Sequence, residues 1–276
     1  MSDTDYDIPL KPTLYKYTSF KSAFSILTSN KIYFAKLSEF NDPFDGLMAL
    51  DLSTIEKRKD FLEHWKKTTL DSGGKWRMKE NNEQEFINNQ DKADRTARVV
   101  ADSVLKKDSR GFCCLTDTYE SLPMWGHYAN DHTGCCLVFD FSKYLDQSEE
   151  DRFPFHHMKK IAYQEDLPTH GVSRPWHYYA HKSLEWEYEQ EWRAIMFNQP
   201  TAFSPFLAKS ANGSGLYQLG DFLCGVILGD KMKEDDKEAI KAAVRQRGIS
   251  LQYASRELYK YGIRLTWVDA KRLNQK

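Results

Sequence analysis

Three short apolar runs constrain the fold of this chain most tightly: GFCCL at 111–115, GCCLVF at 134–139 and LCGVIL at 223–228. The first two are bounded by Gly on one side and an Asp-bearing turn on the other, and they read as buried strands. The third opens a strand-helix-strand unit. A helix is expected near 234–247, Gly248 supplies its C-terminal stop, and ISLQYAS at 249–255 returns as a strand, an order that calls for parallel pairing.

The N-terminal part adds a strand, a helix, a second strand and a turn. LYKY at 14–17 is strand-like; Thr18 or Ser19 can cap a helix carrying Phe20, Ala23, Phe24 and Leu27 at helical spacing, and Ser29 and Asn30 end it. IYFA at 32–35 follows, and FNDPFDG at 40–46 is a turn, because Asp42 precedes Pro43 and is pushed out of the helical region. Between about 52 and 110 the chain becomes rich in Lys, Glu, Asp, Asn and Arg. Sparse apolar residues there (Phe61, Leu62, Trp65, Phe86, Ile87, Val99, Val100, Val104) predict two or three exposed helices, with a break at Ser72-Gly73-Gly74. The expectation is therefore an α+β chain: a single domain over 1–276 with a helical insertion at 52–110 and a C-terminal βαβ unit.

Bulk properties narrow the class. With 276 residues, 41% hydrophobic and 14% aromatic, the chain can bury a large core and is not disordered. A net charge of -1 gives no chain-wide field toward nucleic acid or anionic lipid. MSDTDYDIPL lacks a signal-peptide pattern, and no apolar run approaches the roughly 20 residues that span a bilayer. A cytoplasmic protein without membrane association is expected. The cysteines fall as Cys113-Cys114, Cys135-Cys136 and Cys224. Neighbours on a strand point to opposite faces, so neither pair suits one metal ion, even with His127 and His132 nearby; packing as small apolar residues is the simpler reading, and no metal is expected.

The stretch with most chemical content is EWEYEQEW, 185–192. As a strand it would place Glu185, Glu187, Glu189 and Glu191 on one side, with Lys182 and Arg193 near enough to hold them and aromatics behind. As a helix it would pair Glu189 with Arg193 at i, i+4; strict alternation and the following AIMF favour the strand. In MWGHYANDH, 124–132, helical spacing sets Tyr128 over Met124 and His132 and pairs His127 with Asp131. Trp125 fills core or lines a site, and His127 and Tyr128 can orient a ligand. Asn41, Asp42 and Asp45 in the NDPFD turn are further binding candidates, since functional residues favour loops. No P-loop, dinucleotide-binding or nucleophile-elbow pattern occurs.

LYKYTS, FNDPFDG, MWGHYANDHTGCCLVFD and K-x-x-x-W-x-x-E-x-E-W-R together resemble a bacterial family of unassigned function, the domain-of-unknown-function family 2971. That resemblance implies a cytoplasmic protein found among mobile and defence-related genes. A looser resemblance, carried by LYKYTS and the late E-x-E, is to ADP-ribosyltransferase folds and implies a mixed, partly antiparallel, split sheet. It implies NAD as substrate, with Lys16, Tyr17 and Thr18 gripping the ribose, Tyr33 or Phe44 stacking on nicotinamide, Glu191 as the key acid and Glu189 beside it. A Lys stands where those enzymes carry His or Arg, and it cannot reproduce their planar contact. The function expected is an anti-phage defence or toxin-type effector that transfers or hydrolyses ADP-ribose, acting on a protein or nucleic-acid target or with partners of a defence system. The rivals are a non-catalytic protein- or nucleic-acid-binding module using Arg174, Trp176, His177, Tyr178, Tyr179 and Lys182, and a Mg-dependent nuclease.

Overall fold

The computed structural model describes residues 10–47, 49–71, 73–107, 110–145, 153–155, 157–168, 179–197 and 213–267, without the side chains of Thr68 and of 100–107. Arg174, Trp176, His177 and Tyr178, and Ser72 of the expected helix break, lie outside the described residues. The chain forms two compact units: Met1–Phe40, Ser109–Tyr163 and Leu184–Lys276 make the first, and Asn41–Asp108 with Gln164–Ser183 make the second.

In chain order the elements are β1 (Thr13–Thr18), α1 (Phe20–Ser29), β2 (Lys31–Phe34), α2 (Ile55–Asp71), α3 (Glu80–Asn88), α4 (Gln90–Lys107), β3 (Gly111–Thr116), α5 (Leu122–His127), β4 (Cys135–Asp140), β5 (Met158–Lys160), β6 (Ala162–Gln164), β7 (His181–Ser183), β8 (Glu191–Met196), β9 (Gly215–Gln218), β10 (Leu223–Leu228), α6 (Glu234–Arg247), β11 (Ser250–Arg256) and β12 (Ile263–Trp267). The architecture is α+β. The first unit holds an eight-stranded sheet ordered β12-β11-β10-β4-β1-β3-β8-β5. Its β10–β11 pair is parallel, as a βαβ crossover through α6 requires, and the other neighbours run antiparallel. β2 and β9 form a separate two-stranded sheet.

Local chemistry explains the elements. Ser19 caps α1 by accepting from the Ser22 N–H, a contact worth about 1 kcal/mol, and Asn30 ends it in the left-handed region at φ 53°. Ala23, Ile26 and Leu27 form the buried stripe of α1, which packs on α6 and β4. Across the sheet Tyr17, Cys136 and Ile227 lie in one row and so share a face. That face is covered by Met124, Trp125 and Ala129 of the α5 segment. Trp125 meets Tyr17 edge to face at 5.2 Å and donates its indole N–H to the Tyr119 carbonyl at 2.8 Å. The cysteines pack as the strand pattern predicts: Cys113, Cys135 and Cys136 are buried free thiols in β3 and β4.

The second unit contains three helices over 55–107, with Leu52, Leu62, Phe86, Ile87 and Ala93 at their centre. Trp65 stands edge-on to Trp76 at 5.4 Å. Arg58 is buried among them because its guanidinium finds main-chain acceptors, the carbonyls of Ile87 at 2.6 Å and Leu52 at 2.8 Å. The same unit takes in the NDPFD turn and Gln164–Ser183.

Candidate functional site

The acid-rich stretch does not form one strand. Leu184–Glu189 is a 3-10 helix, Gln190 adopts φ 45°, and β8 begins only at Glu191. At three residues per turn, acids spaced by two scatter around the axis instead of sharing a face. Glu185 and Glu187 therefore face solvent, whereas Glu189 and Glu191 are buried. The left-handed Gln190 reverses the chain and lets its carbonyl accept from the Asp117 N–H at 3.3 Å and from Lys160 Nζ at 3.0 Å.

Glu191 and Arg193 are two apart on β8 and so project from one face. The guanidinium donates Nε to Oε1 at 2.8 Å and Nη2 to Oε2 at 2.9 Å, a bidentate pair sealed from solvent. Phe40 and Phe112 place their rings 5.3 and 5.9 Å from the guanidinium carbon, which suits a planar, weakly hydrated cation. The register Tyr15–Thr116–Glu191 and Cys114–Arg193 puts Tyr15, Thr116 and Cys114 on the same face. Desolvation, then the Glu191 carboxylate, push the Cys114 thiol well above its ordinary value, so it is a neutral packing group here. Lys16 reaches this neighbourhood from β1, its ammonium donating to the Cys114 carbonyl at 2.9 Å.

A second cluster joins α5 to the 3-10 helix. Tyr128 donates its hydroxyl to Glu189 Oε1 at 2.5 Å, and His127 Nδ1 lies 3.0 Å from the Tyr188 hydroxyl on the exposed side. The helical pairing expected through His132 fails because α5 stops at His127, with Tyr128 as its cap. Asn130, Asp131 and His132 follow with φ of 50°, 54° and 68°. Three successive non-glycine residues in this region cost about 1 kcal/mol or more each, and Asn, Asp and His are the types that tolerate it best. Hydrogen bonds hold the run: Asp131 N–H to Gly126 O, His132 N–H to Trp125 O, and Gly134 N–H to Ala129 O. His132 consequently stacks on Trp125 rather than sitting over Tyr128, and His127 pairs with Tyr188 rather than Asp131. Desolvation and then Lys231 hold the His132 imidazole below its usual value.

The remaining candidates separate. Tyr17 is core, its hydroxyl pushed up by burial, and Thr18 is buried at the end of β1. Tyr33 lies on the small β2–β9 sheet and donates to Glu39 at 3.0 Å. In the second unit Asp42 caps its own turn by accepting from the Phe44 N–H at 2.9 Å, Phe44 is exposed, Asn41 is exposed at the turn's start, and Lys182 pairs with Asp45 at 3.7 Å. Tyr179 is buried rather than displayed for stacking. Sequence reasoning missed Asp117, which accepts from Lys160 at 2.7 Å and Lys11 at 2.9 Å, and Tyr163, whose hydroxyl accepts from the Glu191 N–H at 2.7 Å. The Asp directly after the GFCCLT strand was the available signal for the first. Among the described residues no group of three or more His, Cys, Asp or Glu is placed to hold a metal ion, and no helix is long and apolar enough to cross a membrane.

A family model described as Protein of unknown function (DUF2971) matches residues 124–194. The matched segment opens at α5 and closes within β8, so it contains both Tyr128–Glu189 and Glu191–Arg193. No curated protein and no solved structure gives a significant match, and the resemblance to ADP-ribosyltransferase folds is without support from either comparison.

Proposed function

We infer that the α5–β8 corner of the first unit binds a nucleotide sugar of the NAD type and transfers or hydrolyses its ADP-ribose, as a defence or toxin-type effector. The Tyr128–Glu189 contact carries this reading. Cleavage of a nicotinamide–ribose bond develops positive charge on the sugar, and a buried carboxylate answers that charge most strongly where water is excluded. Glu189 suits the role better than Glu191. Both Glu191 oxygens already accept from Arg193 inside the sheet, whereas Glu189 meets Tyr128 beside the exposed His127–Tyr188 contact, where a ligand can approach. Glu191–Arg193 then acts as the rigid brace that fixes the start of β8 and the turn carrying Glu189. His127 and Tyr188 form the solvent-side rim, where a ligand would enter.

One observation favours a non-catalytic binding module instead: Lys16, the group assigned to grip the ribose, donates to a main-chain carbonyl. Incubation of the full chain with NAD, following nicotinamide release with and without EDTA, separates the two. EDTA-insensitive release supports the transferase or glycohydrolase reading. Absence of release at high enzyme concentration, with ligand binding retained, supports the module.

A further inference from the structure

The tetrapeptide LYKY occurs twice, and the chain treats the two copies in opposite ways. At 14–17 it lies in β1, with Leu14 0% and Tyr17 5% exposed. At 258–261 it forms the connection between β11 and β12, with Leu258, Tyr259 and Tyr261 at 79%, 97% and 99% exposure. The Leu and the second Tyr, buried in the first copy, are exposed in the other, so sequence preference does not set their exposure. Large apolar groups displayed in this way mark an interaction surface.

The neighbourhood selects the kind of partner. Lys260 stands between the two tyrosines, Arg256 and Arg264 flank them at the adjoining ends of β11 and β12, on opposite faces of the hairpin because Arg264 pairs with Ser255 and Arg256 with Ile263, and all three are exposed. Glu257 is the acid in the same stretch, and Asp230 meets Arg256 at 3.2 Å. An excess of cations interleaved with aromatic rings fits a strand of phosphates with unpaired bases, the rings stacking and the cations meeting the backbone. It fits a membrane poorly, since the cations are too few for anchoring by charge alone. We propose that the β11–β12 hairpin tip, Arg256 to Arg264, binds single-stranded nucleic acid, with Tyr259 and Tyr261 as stacking platforms. The proposal is independent of NAD chemistry at the α5–β8 corner and uses none of its residues.

The test is fluorescence anisotropy of the full chain with mixed-sequence single-stranded DNA and RNA of about 12 nucleotides, at about 50 and about 200 mM salt. Salt-weakened binding is expected. Tyr259→Ala with Tyr261→Ala weakens it by about tenfold or more, while the paired Tyr→Phe changes preserve it, because a phenyl ring still stacks. Lys260→Glu lowers both affinity and salt slope, whereas Lys67→Glu on α2 changes neither. Circular dichroism of every variant should match the parent, since Tyr259, Lys260, Tyr261 and Lys67 are exposed. Three results overturn the proposal: no binding at the lower salt, binding indifferent to the double alanine variant, or loss of self-association or of anionic-vesicle binding in that variant with oligonucleotide affinity intact.

Discussion

Replacing Arg193 by Leu tests whether the buried pair braces the sheet. The guanidinium is fully enclosed and makes both charge-assisted bonds to Glu191, at 2.8 and 2.9 Å. Truncation leaves a carboxylate buried without its cation, a change that typically costs about 3–5 kcal/mol. Against a total stability of roughly 5–15 kcal/mol that is a large fraction, and at about 2–4 °C per kcal/mol it lowers the melting temperature by roughly 6–20 °C. Glu191→Leu alone removes the carboxylate that accepts both bonds from the buried guanidinium and should also destabilise the fold. The double variant, Glu191→Leu with Arg193→Met, removes both charges and should be less damaging than either single change, since apolar replacement of a whole buried pair is often close to neutral. Guanidinium unfolding of the four proteins, with coincident fluorescence and circular dichroism transitions as the check on two-state behaviour, gives the coupling energy. A single-variant loss below about 1 kcal/mol, or a double variant as unstable as the sum of the singles, refutes the brace.

Gly229→Ala should destabilise the first unit by about 2 kcal/mol or more, because an added Cβ would sit 2.1 Å from the His132 carbonyl oxygen, which belongs to backbone that cannot swing aside; thermal melting reads the loss. His132, with a folded pKa below its ordinary value, binds fewer protons folded than unfolded. Its contribution is therefore present above the unfolded value near 6.5 and is lost as pH falls through the folded value, and His132→Phe should flatten the stability-pH profile in that window. At Asp117 burial pushes the carboxyl up, but Lys160 and Lys11 outweigh it and hold the group below its usual value. Its contribution is present above about pH 3.9 and is lost on further acidification; NMR titration of Lys160→Ala should show the Asp117 carboxyl moving up.

Much of the scaffold was legible because it is set locally. Ser19 and Asn30 bound α1, Gly248 stops α6, and the short apolar runs at 111–116, 135–140 and 223–228 are strands in the expected places. The parallel β10–β11 pair follows from the helix between them. The acidic run misled because strict alternation fits a strand, while one left-handed residue, Gln190, decides where pairing begins; nothing in the residue type Gln announces a positive φ. The end of α5 was legible in principle. Asn130-Asp131-His132 are the types that enter the left-handed region, yet a spacing rule carried the helix through them. The partners of Glu191 were half visible: Arg193 lies two residues away, whereas Cys114 arrives through the pairing of β3 with β8 and Tyr163 of β6 through its side-chain hydroxyl. The unit that holds the helices at 55–107 also takes in Gln164–Ser183, which lies far off in sequence, so only its helical part was legible.

Nicotinamide release from NAD by the parent, Glu189→Gln and Tyr128→Phe proteins addresses the central claim most directly, with folding of each verified by its melt. If Glu189 is the acid that meets the sugar, the Gln variant loses roughly a hundredfold or more of turnover, and Tyr128→Phe, which frees the carboxylate from its phenol, retains activity with an altered pH profile. Turnover by Glu189→Gln at the parent's rate, or a folded parent protein that releases no nicotinamide, contradicts the account.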